Sequence, residues 1–136
     1  MAAPGTAYDD PVVGRDPQPA HMRDYYRGRD DNHGVHTNSG IPNHAFYLAA
    51  KAIGGYAWEA AGKIWYTVLT TKLASNAHFK AFASATVATA AQLYGTGGRE
   101  HHAVREAWRA VGVAFAEAPP RAQKLAPAHE PAETAA

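Results

Sequence analysis

The sequence predicts a mainly α-helical bundle with an irregular N-terminal third and a disordered C-terminal tail. Four stretches place apolar side chains at the 3.6-residue spacing of an amphipathic helix. Residues 1–42 instead contain the turn-forming strings DDP, GRDPQP and GIP. Residues 117–136 are rich in proline and alanine, with too few large apolar groups to offset the entropy cost of ordering the chain. We therefore expect one domain over residues 1–116, followed by a disordered tail.

The helices are bounded by recognisable start and stop signals. Ser39 or Asn43 is expected to cap the first helix, and Asn76 the third. Gly54 and Gly95 are expected to end these two helices. The predicted helices span residues 43–53, 58–71, 77–94 and 99–111, with a short helix near residues 20–26. The side chains expected to face the core are Ala45, Leu48, Ala49, Ala52, Ala61, Ile64, Trp65, Val68, Leu69, Phe79, Phe82, Ala83, Thr86, Ala90, Leu93, Val104, Ala107, Trp108 and Val111.

The composition argues against several classes of function. Thirteen Lys and Arg against twelve Asp and Glu give a formal net charge of +1, without the clustered basic surplus of a nucleic-acid binder. Because the chain has no cysteine, disulfides and thiolate metal sites are excluded. No apolar stretch approaches the length of about 18 residues that a membrane span needs. We expect neither nucleic acid nor a membrane as a partner.

One short stretch, DNHGVHTNSGIPN at residues 31–43, carries the strongest candidate site. His36 follows Asp31 by five residues across a glycine-containing turn. A carboxylate that accepts a hydrogen bond from one ring nitrogen fixes the tautomer of a histidine and raises its basicity. The other nitrogen then points outward, where it could stabilise an oxyanion or move a proton. The alternative is an Asx-type turn with a histidine that packs or faces water.

Two groups of histidines raise the question of a metal site. His33 and His36 lie three residues apart and could chelate zinc with His44 as a third ligand. Gly34 lies between the first two and indicates a turn, so their geometry is undefined. In the segment HHAVRE, Glu106 lies four residues after His102, but the zinc signature HExxH is absent from the chain. There we expect a solvated helix face with a His102–Glu106 pair.

Aspartates and aromatic residues also have simpler structural interpretations. Carboxylates in the first third could bind calcium, but Asp in proline-rich turns usually serves turn geometry, and no EF-hand loop is present. These residues are Asp9, Asp10, Asp16, Asp24, Asp30 and Asp31. The aromatic residues Trp58, Trp65, Tyr66 and Trp108 recur at helical spacing, which is typical of a core. The glycine-rich phosphate-binding motifs and the GxSxG nucleophile motif are absent.

The 31–43 stretch, followed by the AFYLA segment, closely resembles the catalytic histidine segment of thermolysin-like zinc metalloendopeptidases. Three later features are similar to that family's C-terminal helical domain: the segment GKIWY, the alanine-rich helix ending in LYG, and the closing helix ending in AVGV. The leading YDDPVVGRDPQPAHM is similar to the protealysin-like branch. The resemblance covers about residues 5–115.

The resemblance implies a role for each site residue. His36 would donate a hydrogen bond to the tetrahedral intermediate of peptide hydrolysis, and Asp31 would orient it. His33 stands where the family often has glycine and would not be essential. The family's substrate-binding arginine would lie a few residues before the DDP turn. This chain has Thr6 near that place and no arginine, so we assign no substrate-binding residue.

The resemblance also implies cofactors and partners that the chain lacks. The family's zinc ligands and general base lie in HExxH and a downstream glutamate, so zinc belongs to the complete enzyme, as calcium would. The expected partners are a peptide or protein substrate and a separate N-terminal zinc-binding lobe. We expect the chain alone to bind no metal and to have no peptidase activity.

Three hypotheses explain a chain of this length: a broken gene, half of a split enzyme, or a non-enzymatic binding module that kept the fold. A further alternative is a small histidine-rich metal-binding helical protein. The family is often secreted, but the start MAAPGTAYDDPVV lacks the pattern of a signal peptide. The compartment is therefore left open, and the chain as it stands would be cytoplasmic.

Overall fold

The computed structural model describes residues 1–117 as five helical segments and one small hairpin. The hairpin pairs β1 (Asp9–Asp10) with β2 (Gly14–Arg15) in antiparallel register, and a 3₁₀ turn follows at Met22–Asp24. The helical segments are α1 (Asp30–Gly34), α2 (Gly40–Ile53), α3 (Ala60–Thr71), α4 (Phe79–Tyr94) and α5 (Arg99–Ala110). The short α1 differs from the rest, because Asp31, Asn32 and His33 have left-handed backbone. The predicted tail lies outside the described residues except for Glu117. The prediction of a mainly α-helical bundle is confirmed.

The core forms around α5, which packs against both α2 and α4. Trp108 is fully buried there, stacks on Trp65 of α3 at 5.9 Å between ring centroids, and meets the edge of Phe82 at 5.5 Å. Alanines 45, 49, 83 and 90 are fully buried at the facing positions. Small side chains on α2 and α4 let the helices approach closely while the large rings fill the space between them.

Several positions on the predicted inner faces are exposed. Leu69 is 55% exposed and Leu93 is 40% exposed, and Ala52 is also exposed. Each lies at the edge of its helix's apolar stripe, where no neighbouring element covers it among residues 1–117. The prediction that Trp58 and Tyr66 belong to the core is also wrong, since they are 72% and 71% exposed.

The start of α4 differs from the predicted cap. Asn76 does not cap the helix, which begins two residues later than expected with His78 at the N-cap and no side-chain cap bond. The predicted glycine stops are confirmed: Gly54 (φ 78°) and Gly95 (φ 94°) end α2 and α4 with left-handed backbone. None of the helices among residues 1–117 is long and apolar enough to cross a membrane.

One buried hydrogen bond inside the core gives a stability prediction. The indole Nε1–H of Trp108 donates to Thr86 Oγ1 at 2.7 Å, and both residues are fully buried. The substitution Thr86→Val keeps the shape but leaves the indole N–H without a partner, so we expect the free energy of unfolding to fall by about 1–3 kcal/mol. Urea denaturation followed by Trp fluorescence measures this change. The control Thr71→Val, at an exposed position of α3, is expected to change stability far less, and an equal loss would contradict the assignment.

The turn between α4 and α5 depends on a neutral histidine. His101 is 8% exposed and its Nδ1 accepts a hydrogen bond from the Gly97 N–H at 3.0 Å. Burial, reinforced by the charge of Arg105, lowers the pKa of His101 from its ordinary 6.5. The unfolded chain therefore takes up this proton at a higher pH than the folded chain.

This difference predicts acid sensitivity. We expect stability to decline as the pH falls below about 6.5, until the pH reaches the lower folded-state pKa. In His101→Gln the decline over this window should be smaller than in the parent chain, while in His102→Gln, on the exposed side of α5, it should persist. Thermal unfolding of the three proteins between pH 8 and pH 5, values chosen to bracket the ordinary histidine pKa, measures the slopes, and equal slopes in all three would contradict this role.

Residues 5–18 form a loop built around one buried carboxylate. Asp16 is 7% exposed, and its Oδ2 accepts from the N–H groups of Gly5 (3.0 Å) and Ala7 (3.1 Å). Its Oδ1 accepts from the Gln18 N–H at 3.1 Å, and these bonds lower the pKa of Asp16. The loop packs on the start of α2, where a Cβ on Gly40 would lie 2.7 Å from the Pro19 carbonyl oxygen. Glycine at this position therefore lets the first third dock on the bundle.

Candidate functional site

The predicted site lies on a left-handed backbone turn. Asp31 (φ 54°), Asn32 (φ 48°), His33 (φ 62°) and Gly34 (φ 79°) have consecutive positive φ values. Non-glycine residues in this region carry backbone strain, which persists only where the surroundings fix it. The turn therefore implies compensating contacts on both sides.

Asp31 supplies the first of these contacts. Its Oδ2 accepts from the N–H groups of His36 at 2.9 Å and Thr37 at 2.8 Å, while its Oδ1 lies 2.6 Å from the His36 ring Nδ1. The Thr37 N–H, followed by the His36 ring, lowers the pKa of Asp31 from 3.8 to about 2. The carboxylate is thus ionised throughout the neutral range. One carboxylate therefore closes the turn, through N–H groups five and six residues along the chain, and also orients the His36 ring.

This pairing defines which ring nitrogen of His36 carries a proton. An ionised carboxylate at Nδ1 accepts a hydrogen bond, so Nδ1 carries the proton. Nε2 is then an acceptor in the neutral ring and a donor only in the imidazolium. The His36 side chain is 88% exposed while Asp31 is 27% exposed. The geometry therefore presents Nε2 to whatever occupies the space outside the turn.

Asn38 fixes the turn from the inner side. It is 2% exposed, and its amide makes two bonds to the backbone of Tyr26, accepting from the N–H at 2.8 Å and donating to the carbonyl at 3.0 Å. Gly34 lies against the same pair: a Cβ there would be 2.6 Å from Tyr26 Cδ1 and 2.8 Å from Asn38 Nδ2. The left-handed turn is thus held by a segment that is distant in sequence.

Gln18 connects the 5–18 loop to the same turn. Its Nε2 donates to the His36 carbonyl at 3.0 Å and to Ser39 Oγ at 3.2 Å, and Ser39 Oγ donates to the His36 carbonyl at 2.5 Å. The sequence assigned no site role to Gln18, and it considered Asp16 only as a calcium ligand or a turn residue. A glutamine side chain carries no local pattern that would predict a partner 18 residues away.

The loop and the turn form the two walls of a cleft of about 370 Å³. The cleft is lined by Ala7, Tyr8, Asp16, Pro17, Gln18, Asp31, His36 and Thr37. Tyr8 is 42% exposed, so the wall opposite His36 offers an aromatic surface.

The structure does not assemble the metal sites that the sequence suggested. His33 is exposed, and His44 instead lies 3.1 Å from the Met1 carbonyl and stacks on Tyr47. Within residues 1–117, no group of three or more His, Cys, Asp or Glu side chains could hold a metal ion.

The expected His102–Glu106 pair is replaced by another ion pair. Glu106 Oε1 bonds to Arg109 Nη1, three residues along α5. Among the aspartates, Asp10 accepts from the N–H groups of Val12 and Val13 in its own turn, as the turn interpretation predicted.

The fold and the site define the class of protein as a helical bundle with a carboxylate-oriented histidine at its edge. Residues 1–113 match the family model described as thermolysin metallopeptidase, alpha-helical domain, and the chain belongs to this family. This is the family that the 31–43 stretch resembled, and its members are zinc metalloendopeptidases.

Relatives and a solved structure agree with this assignment. The chain is 53% identical to the extracellular metalloprotease of Pectobacterium carotovorum subsp. carotovorum, over 83% of this chain and 32% of that protein. It is 49% identical to protease PrtS of a Photorhabdus strain, over 86% of this chain and 32% of that protein. The precursor of protealysin, a metalloproteinase from Serratia proteamaculans, superposes with a TM-score of 0.78 at 56% identity, over 83% of this chain and 35% of that one. The chain thus spans about a third of the length of these proteins.

Proposed function

We propose that this chain is the helical lobe of a thermolysin-like zinc metalloendopeptidase and that His36, held by Asp31, donates a hydrogen bond to the oxyanion formed during peptide-bond hydrolysis. The observation that carries the proposal is the bidentate use of the Asp31 carboxylate. One oxygen closes the turn through two backbone N–H groups, and the other holds the His36 ring at 2.6 Å. The ring is oriented before any substrate arrives.

Preorganisation is what makes such a donor effective. A hydrogen bond that strengthens as charge develops on the oxygen lowers the barrier, and a donor already in place needs no reorganisation during the reaction. With Nδ1 bonded to Asp31, Nε2 is the ring nitrogen that faces the substrate, and it donates a hydrogen bond when the ring is an imidazolium.

The described residues do not fit the family's zinc. Without a three-ligand group within residues 1–117, zinc in the complete enzyme would have to be bound by other residues. We infer that the complete site forms when this lobe meets a zinc-binding lobe across the 370 Å³ cleft, with a peptide or protein as the substrate. Calcium, if present, would be held by the rest of the enzyme. The Pectobacterium relative is named an extracellular metalloprotease, and we infer that the complete enzyme is extracellular too.

A chimaeric protease tests this proposal. The matching third of the Pectobacterium metalloprotease is replaced by residues 1–117 of this chain, and cleavage of a peptide substrate is measured. We expect the chimaera to cleave the peptide. We expect the isolated 136-residue chain with added zinc to show no turnover above its His36→Ala variant. Turnover by the isolated chain that depends on His36 would overturn the proposal that this lobe is inactive by itself.

A further inference from the structure

A second cavity lies on the other side of the left-handed turn. It has a volume of about 690 Å³ and is bounded by the segment after the 3₁₀ turn, the 33–38 turn, the start of α4 and the residues after α5. It shares neither Asp31 nor His36 with the cleft described above. Its volume falls in the range of about 300–1,000 Å³ that is usual for small-molecule sites.

The cavity has an apolar side built from side chains of the bundle. Met22, Tyr25 and Phe79 are half-buried and pack against the core, and Val113 is 5% exposed. The Tyr25 and Phe79 rings meet edge to face at 6.1 Å between centroids. Such a surface accepts an aromatic or aliphatic body.

The polar part of the lining is basic. Arg27, His33, His78 and Lys80 line the cavity, whereas Asp and Glu are absent from its lining among residues 1–117. The Arg27 guanidinium lies over the Tyr25 ring at 5.6 Å from the centroid, so a cation is held directly above the apolar side. Arg27, His33, His78 and Lys80 are all exposed and can turn toward a ligand.

We propose that this cavity binds a small amphiphilic carboxylate, with its apolar body on Tyr25 and Phe79 and its carboxylate on Arg27 and Lys80. Charge complementarity selects an anion, because the titratable side chains of the lining are basic or aromatic. The volume selects a small molecule. The described part of the cavity has neither a sheet edge nor a long groove, which a bound peptide would use. His33, which has no role in the proposed catalysis, is one of the four basic side chains that line this cavity.

The probe for this site is 4-phenylbutyrate, titrated into the 136-residue chain and followed by backbone amide NMR shifts. We expect saturable shifts centred on Tyr25, Phe79 and Val113. In the double variant Arg27→Gln/Lys80→Gln the affinity should fall at least about tenfold, because two charge-assisted bonds are lost. The matched control Arg15→Gln/Lys63→Gln removes the same charge from exposed positions outside the cavity and should bind like the parent chain.

Two further ligands test what the cavity recognises. The first tests whether binding needs a negative charge or only an apolar body, and the second tests whether the site prefers a free acid to the C-terminal carboxylate of a peptide. We expect 4-phenylbutylamine, which has the same body and a positive charge, to give no saturable shifts at the cavity. A short peptide that ends in phenylalanine carries the same groups and should bind more weakly than the free acid. Equal binding of the amine, equal loss of affinity in the control variant, or shifts centred elsewhere would each overturn the proposal. Tighter binding of the peptide would overturn the assignment to a small free carboxylate.

Discussion

The substitution His36→Ala in the chimaeric protease is expected to lower kcat by about 10²–10³-fold, the usual cost of removing one oxyanion donor. KM should change little, because the bond strengthens when charge develops on the substrate oxygen and contributes less to binding the ground state. Steady-state kinetics on a peptide substrate measure both constants. The side chain is 88% exposed in this lobe, so its removal should leave the fold intact.

The control for this experiment is His33→Asn in the same turn. Asn tolerates the left-handed backbone that His33 adopts (φ 62°), and the change removes an imidazole three residues from His36. We expect kcat within about threefold of the parent, since the substituted ring makes no contact in the proposed step. A loss of kcat in His33→Asn as large as that in His36→Ala would show that the turn, and not the His36 ring, is what matters.

The substitution Gly34→Ala is expected to give the largest loss of stability. It places a side chain at φ 79°, which costs about 1–3 kcal/mol of backbone strain. The new Cβ would also lie 2.6 Å from Tyr26 Cδ1, a clash that costs about 1–3 kcal/mol more. Chemical denaturation followed by far-UV circular dichroism measures the total.

Gly97→Ala isolates the backbone part of this effect. Gly97 lies in the turn before α5 with nearly the same φ (78°), and a Cβ there would meet nothing within 4 Å. We expect it to show the backbone cost alone, so that the difference between the two variants reports the clash with Tyr26 and Asn38. Equal losses in the two variants would mean that the turn does not pack against the Tyr26 segment as described.

The helical part of the fold could be predicted because its pattern is local. The inner face of α5, with Val104, Ala107, Trp108 and Val111 buried, follows directly from the 3.6-residue spacing. Leu69 and Leu93 could not be placed in the same way. They belong to apolar stripes, but their burial depends on whether another element covers the edge of the stripe.

Helix caps and turns were harder to predict, because a polar side chain can form its hydrogen bond with any of several nearby partners. Ser39 was a reasonable cap for α2, yet its hydroxyl donates to the His36 carbonyl instead. The left-handed turn at Asp31–Gly34 is held through Asn38 and the Tyr26 backbone, 12 residues apart. A contact of this separation leaves no periodic signal in the sequence.

The pairing of Asp31 with His36 followed from their spacing, and the family resemblance supplied the chemistry. The support from Asp16 and Gln18 did not follow, since Asp in a proline-rich turn is usually assigned to the turn alone. In this protein Asp16 does accept hydrogen bonds from the backbone of its own loop. The Gln18 side chain then links that loop to the site by donating a hydrogen bond to the His36 carbonyl. The roles of His36 and Asp31 in catalysis stay predictions.

We propose that Asp31 acts on catalysis through the His36 ring. A double-mutant cycle in the chimaeric protease tests it, with Asp31→Ala, His36→Ala and the two combined, each checked for folding by circular dichroism. If Asp31 orients the donor, the double variant should have the same kcat as His36→Ala alone, because Asp31 has nothing left to orient. If the increases in activation free energy caused by the two single substitutions instead add in the double variant, Asp31 and His36 act independently. Asp31 would then not act through the His36 ring.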